Sequence, residues 1–183
     1  MYEFHGNKQR YFDMTHQVTV GHIIPFLQSN WTFPSDMTVL EIGCGEAGVL
    51  KAFTDLGYRC TGIELEENRL EFAREFMKAE LDKGVVQFLN KDIYDVIPET
   101  DLGTRFDLII LKDVIEHIPD QARFMPQLER FLKPGGSYLK YVGRIATKEL
   151  LTLTSIPTVF EEIALGRRVF RLPGWCSGLG GRG

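Results

Sequence analysis

Residues 36–173 of the 183-residue chain are expected to form an α/β domain, a doubly wound, mostly parallel sheet with helices on both faces. Three features carry that expectation. Strand-like and helix-like stretches alternate from Thr38 to Val142; one strand-like stretch is apolar throughout; and a glycine-rich loop ends the first strand.

Residues 1–35 form a leader rich in aromatics and histidine. Its stretch "HQVTVGHIIPFLQ" sets Val18, Val20, Ile23, Ile24 and Leu27 at partial helical spacing before Pro34 closes it. "TVLEIG" then reads as a strand, and "AGVLKAFTDLG" as a helix with Val49, Leu50, Phe53 and Leu56 on one face and Gly57 as its stop. "RCTGIEL" is the second strand. "EENRLEFAREFMKAELDKG" reads as one long helix, with Leu70, Ala73, Met77 and Leu81 in register and Gly84 at its end. "VVQFLN" is the third strand. The fourth, "FDLIILKD", is continuously apolar from Leu108 to Leu111, which means burial on both faces, as in a parallel sheet covered by helices. "DQARFMPQLERFLKPGG" carries Phe124, Leu128, Phe131 and Leu132 at helical spacing, with Pro126 bending the helix or marking its start. "SYLKYVG" is the fifth strand.

Composition narrows the function. At 44% hydrophobic residues the chain can bury a sizeable core, and a net charge of −4 with interleaved signs argues against a general nucleic-acid binder. Cys44, Cys60 and Cys176 form no CxxC pair and no disulfide framework. With no long apolar run and no signal-peptide pattern in "MYEFHGNKQRYF", a cytoplasmic protein without a membrane partner is expected.

The loop within "VLEIGCGEAGVL" spaces Gly43, Gly45 and Gly48 as Gly-x-Gly-x-x-Gly. Each glycine costs roughly 0.5–1 kcal/mol relative to alanine inside regular structure, so backbone must approach something closely there. In a doubly wound sheet that loop lies beside the switch point where ligands bind. Glu64 ends the next strand 21 positions after Gly43, the spacing of a carboxylate that accepts both hydroxyls of a ribose; it also suits an acid favouring the dipole at a helix N-terminus. A dinucleotide needs that N-terminus free for its pyrophosphate, which Glu41 and Glu46 would repel. The same two acids suit the sulfonium and ammonium of S-adenosylmethionine, so charge favours that cofactor over NAD.

Taken in order, "VLEIGCGEAGVL", "GIELEENRLEFA", "KDIYDV", "FDLIILKDVIEHIPD" and "FLKPGGSYL" resemble the motifs of the class I S-adenosylmethionine-dependent methyltransferases, over roughly Val39 to Val142. The resemblance implies the Rossmann-like methyltransferase fold and the roles that follow. Glu41, Gly43, Cys44 and Gly45 would hold the methionine part of the cofactor, Glu64 the ribose hydroxyls, and Leu65 the adenine face. Asp92 would take the adenine amino group, Ile93 would pack on the ring, and Lys112 and Asp113 would face the sulfonium and a small-molecule acceptor. His117 would act as base, with an ordinary pKa of about 6.5, or would orient the turn after the fourth strand. Ubiquinone-pathway O-methyltransferases carry a Glu-x-x-Glu-His here and are associated with magnesium; Asp113, Glu116 and His117 match it with Asp for Glu, although no metal is the expectation retained. By the same resemblance the leader is a lid over the substrate, lined by Tyr2, Phe4, Tyr11, Phe12 and His16, unless these side chains simply pack it onto the sheet. The chain lacks the Asn/Asp-Pro-Pro-Tyr/Phe signature of nucleic-acid amino-methyltransferases.

The resemblance weakens after Val142. The family sheet ends in a hairpin beside strand five, yet "TKELLTLTSIPTVFEEIALG" reads as one or two short helices broken at Pro157, and "RRVFRLPG" as a sixth strand. A seventh strand has no room in this reading. The C-terminal strands are therefore expected to be incomplete, with an open strand-five edge that invites a partner copy in a homo-oligomer. Residues 174–183, half of them glycine, are expected to form a flexible tail.

Overall fold

A computed structural model describes residues 7–142, 159–165 and 168–170. The helical leader comprises α1 (Lys8–Val18), a π-helical turn (Thr19–Ile23) and α2 (Ile24–Asn30). The sheet domain follows as β1 (Thr38–Ile42), α3 (Gly48–Asp55), β2 (Arg59–Glu64), α4 (Glu67–Phe76), α5 (Lys78–Asp82) and β3 (Val86–Asn90). It continues through β4 (Phe106–Lys112), α6 (Gln121–Gln127), β5 (Leu132–Val142), β6 (Val159–Leu165) and β7 (Arg168–Phe170).

The strands lie in the order β3-β2-β1-β4-β5-β6-β7. β1 to β5 are parallel, with Val39 opposite Cys60 on one side and Leu108 on the other. The chain steps outward from β1 to β3 and then crosses back to β4, so the crevice of the switch point opens at the carboxyl ends of β1 and β4. Alternation explains the unbroken apolar run of β4. Leu108 and Ile110 face a core shared with Val39, Leu50, Phe53, Leu70 and the leader's Phe12, Ile23 and Leu27. Ile109 and Leu111 face a second core with Leu40, Ile42, Phe106, Phe124 and Leu128. Both faces are buried, which is what permits the run.

Four local expectations are corrected. The helix expected over residues 66–84 breaks at Met77, which leaves helical geometry (φ −110°, ψ 26°) with its side chain fully buried, so the apolar stripe survives as two helices. In the leader the π turn inserts an extra residue and shifts the stripe: Phe12, Thr15, Thr19, Ile23 and Leu27 point inward while Val20 is 48% exposed. Pro126 does not mark the start of a helix; α6 starts at Gln121, after its cap Asp120, whose side chain accepts from the Arg123 N–H at 3.0 Å, and Pro126 sits in its last turn. The described residues beyond Pro157, 159–165 and 168–170, are strand rather than helix. Val159–Leu165 pairs antiparallel with β5 (Leu139 opposite Ile163), and Arg168–Phe170 pairs antiparallel with β6, giving seven strands. Val159, Phe160 and Ile163 favour extended backbone, and an open sheet edge offers a row of hydrogen-bonding partners to any extended segment. β6 takes that edge from within the chain, so the edge supplies no argument for a partner copy. Residues 147–158 and the glycine-rich tail, 174–183, lie outside the described residues, as do Tyr2 and Phe4. Among the described residues no helix is long and apolar enough to cross a membrane.

Candidate active site at the carboxyl ends of β1, β2 and β4

The glycine loop turns back onto β2. The backbone N–H groups of Gly43 and Cys44 donate to the Ile63 carbonyl at 2.7 and 3.1 Å, and the Gly45 N–H donates to Glu64 Oε2 at 2.8 Å. Each glycine has its own reason. A Cβ on Gly43 would lie 2.2 Å from Val114 Cγ2, from the turn after β4. On Gly45, where φ is +52°, it would lie 2.2 Å from Arg69 Nη2. On Gly48 it would strike Thr15 Oγ1 at 2.0 Å and the Phe12 carbonyl at 2.3 Å. The third glycine thus serves helix packing, letting α1 lie against the first turn of α3.

Glu64 is 6% exposed and its carboxylate is held by backbone alone on three sides: Gly45 N–H on Oε2, and the N–H groups of Leu65 (2.9 Å) and Glu66 (3.1 Å) on Oε1. It therefore braces the turn that leads into α4 as well as facing the loop. Leu65, 67% exposed, lies on the open side of this corner. Asn90 at the end of β3 donates to the carbonyls of Glu64 and Leu65 at 3.0 and 2.9 Å and locks the two strand ends together. Asp92 is exposed and caps the short turn Ile93–Asp95, accepting from the Tyr94 N–H at 3.0 Å, with Ile93 half-buried beside it.

Two buried acids flank the loop. Glu46, 2% exposed, pairs with Lys8 of α1 at 2.7 Å and with Arg69 of α4 at 3.0 Å. Burial pushes its carboxyl up, but the hydrogen bonds from Arg69 and Lys8 outweigh that and hold it below the ordinary value. Glu41, also 2% exposed, ends β1 without such help: its Oε2 has no hydrogen-bond partner among the described residues. Burial pushes its carboxyl well above the ordinary range, and the Lys112 ammonium only partly opposes this. Cys44 turns its thiol inward, and a Cβ on Gly62 would lie 2.6 Å from that sulfur; burial raises the thiol's pKa well above the ordinary value. Of Cys44, then, it is the backbone that lines the loop.

At the end of β4 the Lys112 ammonium is only 12% exposed; it donates to the Tyr11 hydroxyl at 3.0 Å and pairs with Asp113. Asp113 has a φ of +51°, a strained conformation of the kind that gathers at functional sites. His117 closes the next turn through its N–H, which donates to Val114 O at 2.9 Å, and its side chain is exposed. Among the described residues expected in the lid, only Tyr11 reaches this cluster. Phe12 packs on Phe76, with ring centroids 5.1 Å apart, and His16 pairs with Asp55 at the far end of α3. Among the described residues no group of three or more His, Cys, Asp or Glu is placed to hold a metal ion, and Asp113 comes together with Lys112 rather than with His117.

The sequence reading missed Lys8, Arg69 and Asn90. Arg69 carried a signal, because it is the third residue of α4 and a cation there opposes the helix dipole.

Comparison with known proteins gives the family. Residues 34–162 match the family model described as "Methyltransferase domain". The chain is 26% identical over 174 residues to the ubiquinone biosynthesis O-methyltransferase of Pseudomonas paraeruginosa (strain DSM 24068 / PA7), covering 92% of this chain and 73% of that protein. Among solved structures it resembles the PH0226 protein of Pyrococcus horikoshii OT3, with a TM-score of 0.58 and 25% identity over 75% of this chain and 62% of that one. It shares the fold of the glycopeptide N-methyltransferase MtfA complexed with S-adenosyl-L-methionine, with a TM-score of 0.53 and 21% identity over 68% of this chain and 54% of that one. The chain spans under two thirds of those two solved chains. It belongs to the methyltransferase domain family and is of the class I S-adenosylmethionine-dependent type.

Proposed function

We propose that the chain transfers a methyl group from S-adenosylmethionine to an oxygen or nitrogen atom of a small molecule by in-line displacement. The observation that carries this reading is Glu41, a buried carboxylate with an unpartnered oxygen beside the glycine loop. Leaving such an oxygen unpaired costs about 1–3 kcal/mol, more for a charged group, and an ammonium or sulfonium would remove that cost. A dinucleotide fits worse, because its pyrophosphate would meet Glu46 and Glu41 at the loop.

In this reading Glu41 and the backbone of Gly43, Cys44 and Gly45 hold the methionine part. Glu64 takes the ribose, and Leu65, Asp92 and Ile93 take the adenine. The cofactor supplies an activated methyl group on sulfur. The chain then has to align the acceptor and exclude water, and orientation alone is worth roughly 7–11 kcal/mol. Lys112, Asp113 and Tyr11 line the acceptor side, with the leader acting as a lid through Tyr11. His117 serves as base where the acceptor must lose a proton, from the solvent side of its turn.

Calorimetric titration with S-adenosylhomocysteine, with NAD as control, tests the assignment on wild type and Glu64→Ala. Binding of the first ligand alone, lost in the variant, is the expected result; binding of NAD alone would sink it.

A further inference from the structure

Arg69 lies over Gly45 and faces Glu64, the acid that the cofactor reading gives to the ribose. This inference rests on the cofactor reading above, and it concerns what the site does before the cofactor arrives. The guanidinium lies directly over the glycine loop, with Nη2 2.2 Å and Cζ 2.8 Å from where a Gly45 Cβ would sit. It spans two buried carboxylates: Nη2 donates to Glu46 Oε2 at 3.0 Å, and Nη1 lies 3.7 Å from Glu64 Oε2. Its Nε–H, buried, has no partner among the described residues.

The hydrogen-bond capacity of Glu64 makes the conflict concrete. A carboxylate offers about four acceptor positions. Three are taken by the N–H groups of Gly45, Leu65 and Glu66, and the Arg69 guanidinium faces the same Oε2 that Gly45 uses. The one position left, on Oε2, faces the guanidinium, so a ribose hydroxyl cannot take it while Arg69 remains. Arg69 is also in the first turn of α4, where the helix dipole disfavours a cation, so its long stem has somewhere better to be once Glu64 is engaged.

We propose that Arg69 is a latch: it fills the ribose end of the unliganded cleft, and cofactor binding exchanges the guanidinium for the ribose. Departure of Arg69 leaves Glu46 with Lys8, so α1 keeps its tether to the loop while the cleft opens. Arg69 is then a residue that sets cofactor affinity and association rate and takes no part in the methyl transfer.

The test uses the full chain, with Arg69→Met, which keeps the stem and removes the charge, and Arg69→Lys, which keeps a single point charge. S-adenosylhomocysteine binding is followed by calorimetry and its association by stopped-flow fluorescence, with folding checked by circular dichroism. If the latch is closed in most unliganded molecules, Arg69→Met binds about threefold to thirtyfold tighter, because apparent affinity scales with the open fraction, and it associates faster. Arg69→Lys falls between it and wild type. If wild type binds but Arg69→Met binds equally well or more weakly, the latch is overturned and the cofactor reading stands, with Arg69 a support for Glu46 and Glu64. If wild type and both folded variants bind nothing, the cofactor reading falls and takes the latch with it. Binding by Arg69→Met with none by wild type supports the latch in its strongest form.

Discussion

The two ends of the candidate cleft are built from different materials. Around β1 and β2 the chain's own backbone does most of the holding: Glu64 is fixed by three N–H groups and the loop by the Ile63 carbonyl, with the Asn90 side chain tying the ends of β2 and β3. Around β4 the work falls to side chains on a turn: Lys112 against Tyr11 and Asp113, a strained Asp113, and an exposed His117. Backbone donors persist through substitution, whereas a turn can exchange its side chains without altering the strand beneath it. The first end therefore suits a ligand that stays constant, and the second a ligand that differs from one relative to another.

Substitutions at the two ends sharpen this contrast. Glu64→Ala removes charge-assisted bonds worth about 1.5–3 kcal/mol each, and affinity for S-adenosylhomocysteine should fall about a hundredfold or more by calorimetry. Gly48→Ala should leave the binding groups in place but destabilise the fold by about 2 kcal/mol, because the new Cβ meets the Phe12 backbone. For a chain of this size that lowers the melting temperature by about 4–8 °C. Glu41 gives a pH signature. Its carboxyl is raised above the ordinary 4.5 chiefly by burial, so the protonated form favours the fold. That contribution is complete below 4.5 and is lost as pH rises through the raised value. Thermal melts of the unliganded chain should show stability declining over that window in wild type and not in Glu41→Gln, while cofactor affinity in wild type rises with pH. Lys8→Ala should cost about 1 kcal/mol, since the buried Glu46 keeps Arg69 as its partner. His117→Ala, at the turn, should leave S-adenosylhomocysteine affinity within twofold of wild type; a larger loss would place this side chain inside the cofactor cleft.

Much of the parallel sheet was legible because its signals are local. Continuous apolar strands, glycine stops and the Gly-x-Gly-x-x-Gly loop each act over a few residues. Three things escaped. The break at Met77 is set by a buried side chain and not by any helix breaker in the sequence. The strand at Val159–Leu165 owes its conformation to pairing with β5, since Glu161 and Glu162 interrupt the alternation that would have marked it. The company Glu64 keeps was hidden as well: its spacing announced a carboxylate at the end of β2, while the guanidinium facing it comes from a different element whose orientation only the fold supplies.

The π turn at Thr19–Ile23 adds one residue to the leader. Each helical residue advances the side-chain direction by about 100°; the wider turn takes up one residue more, and Phe12 and Thr15 on one side and Ile23 and Leu27 on the other still face one core. Gly21 lies within the turn, with nothing within 4 Å of the position a Cβ would take. Deleting that exposed residue would close the turn into an ordinary α-helix whose flanking faces stay in register, because a π turn is one α turn with a residue added. Phe12 and Leu27 would both keep their places in the core. The leader thus carries a spare residue at its middle, a point where its length can change by one while its buried face over the sheet does not.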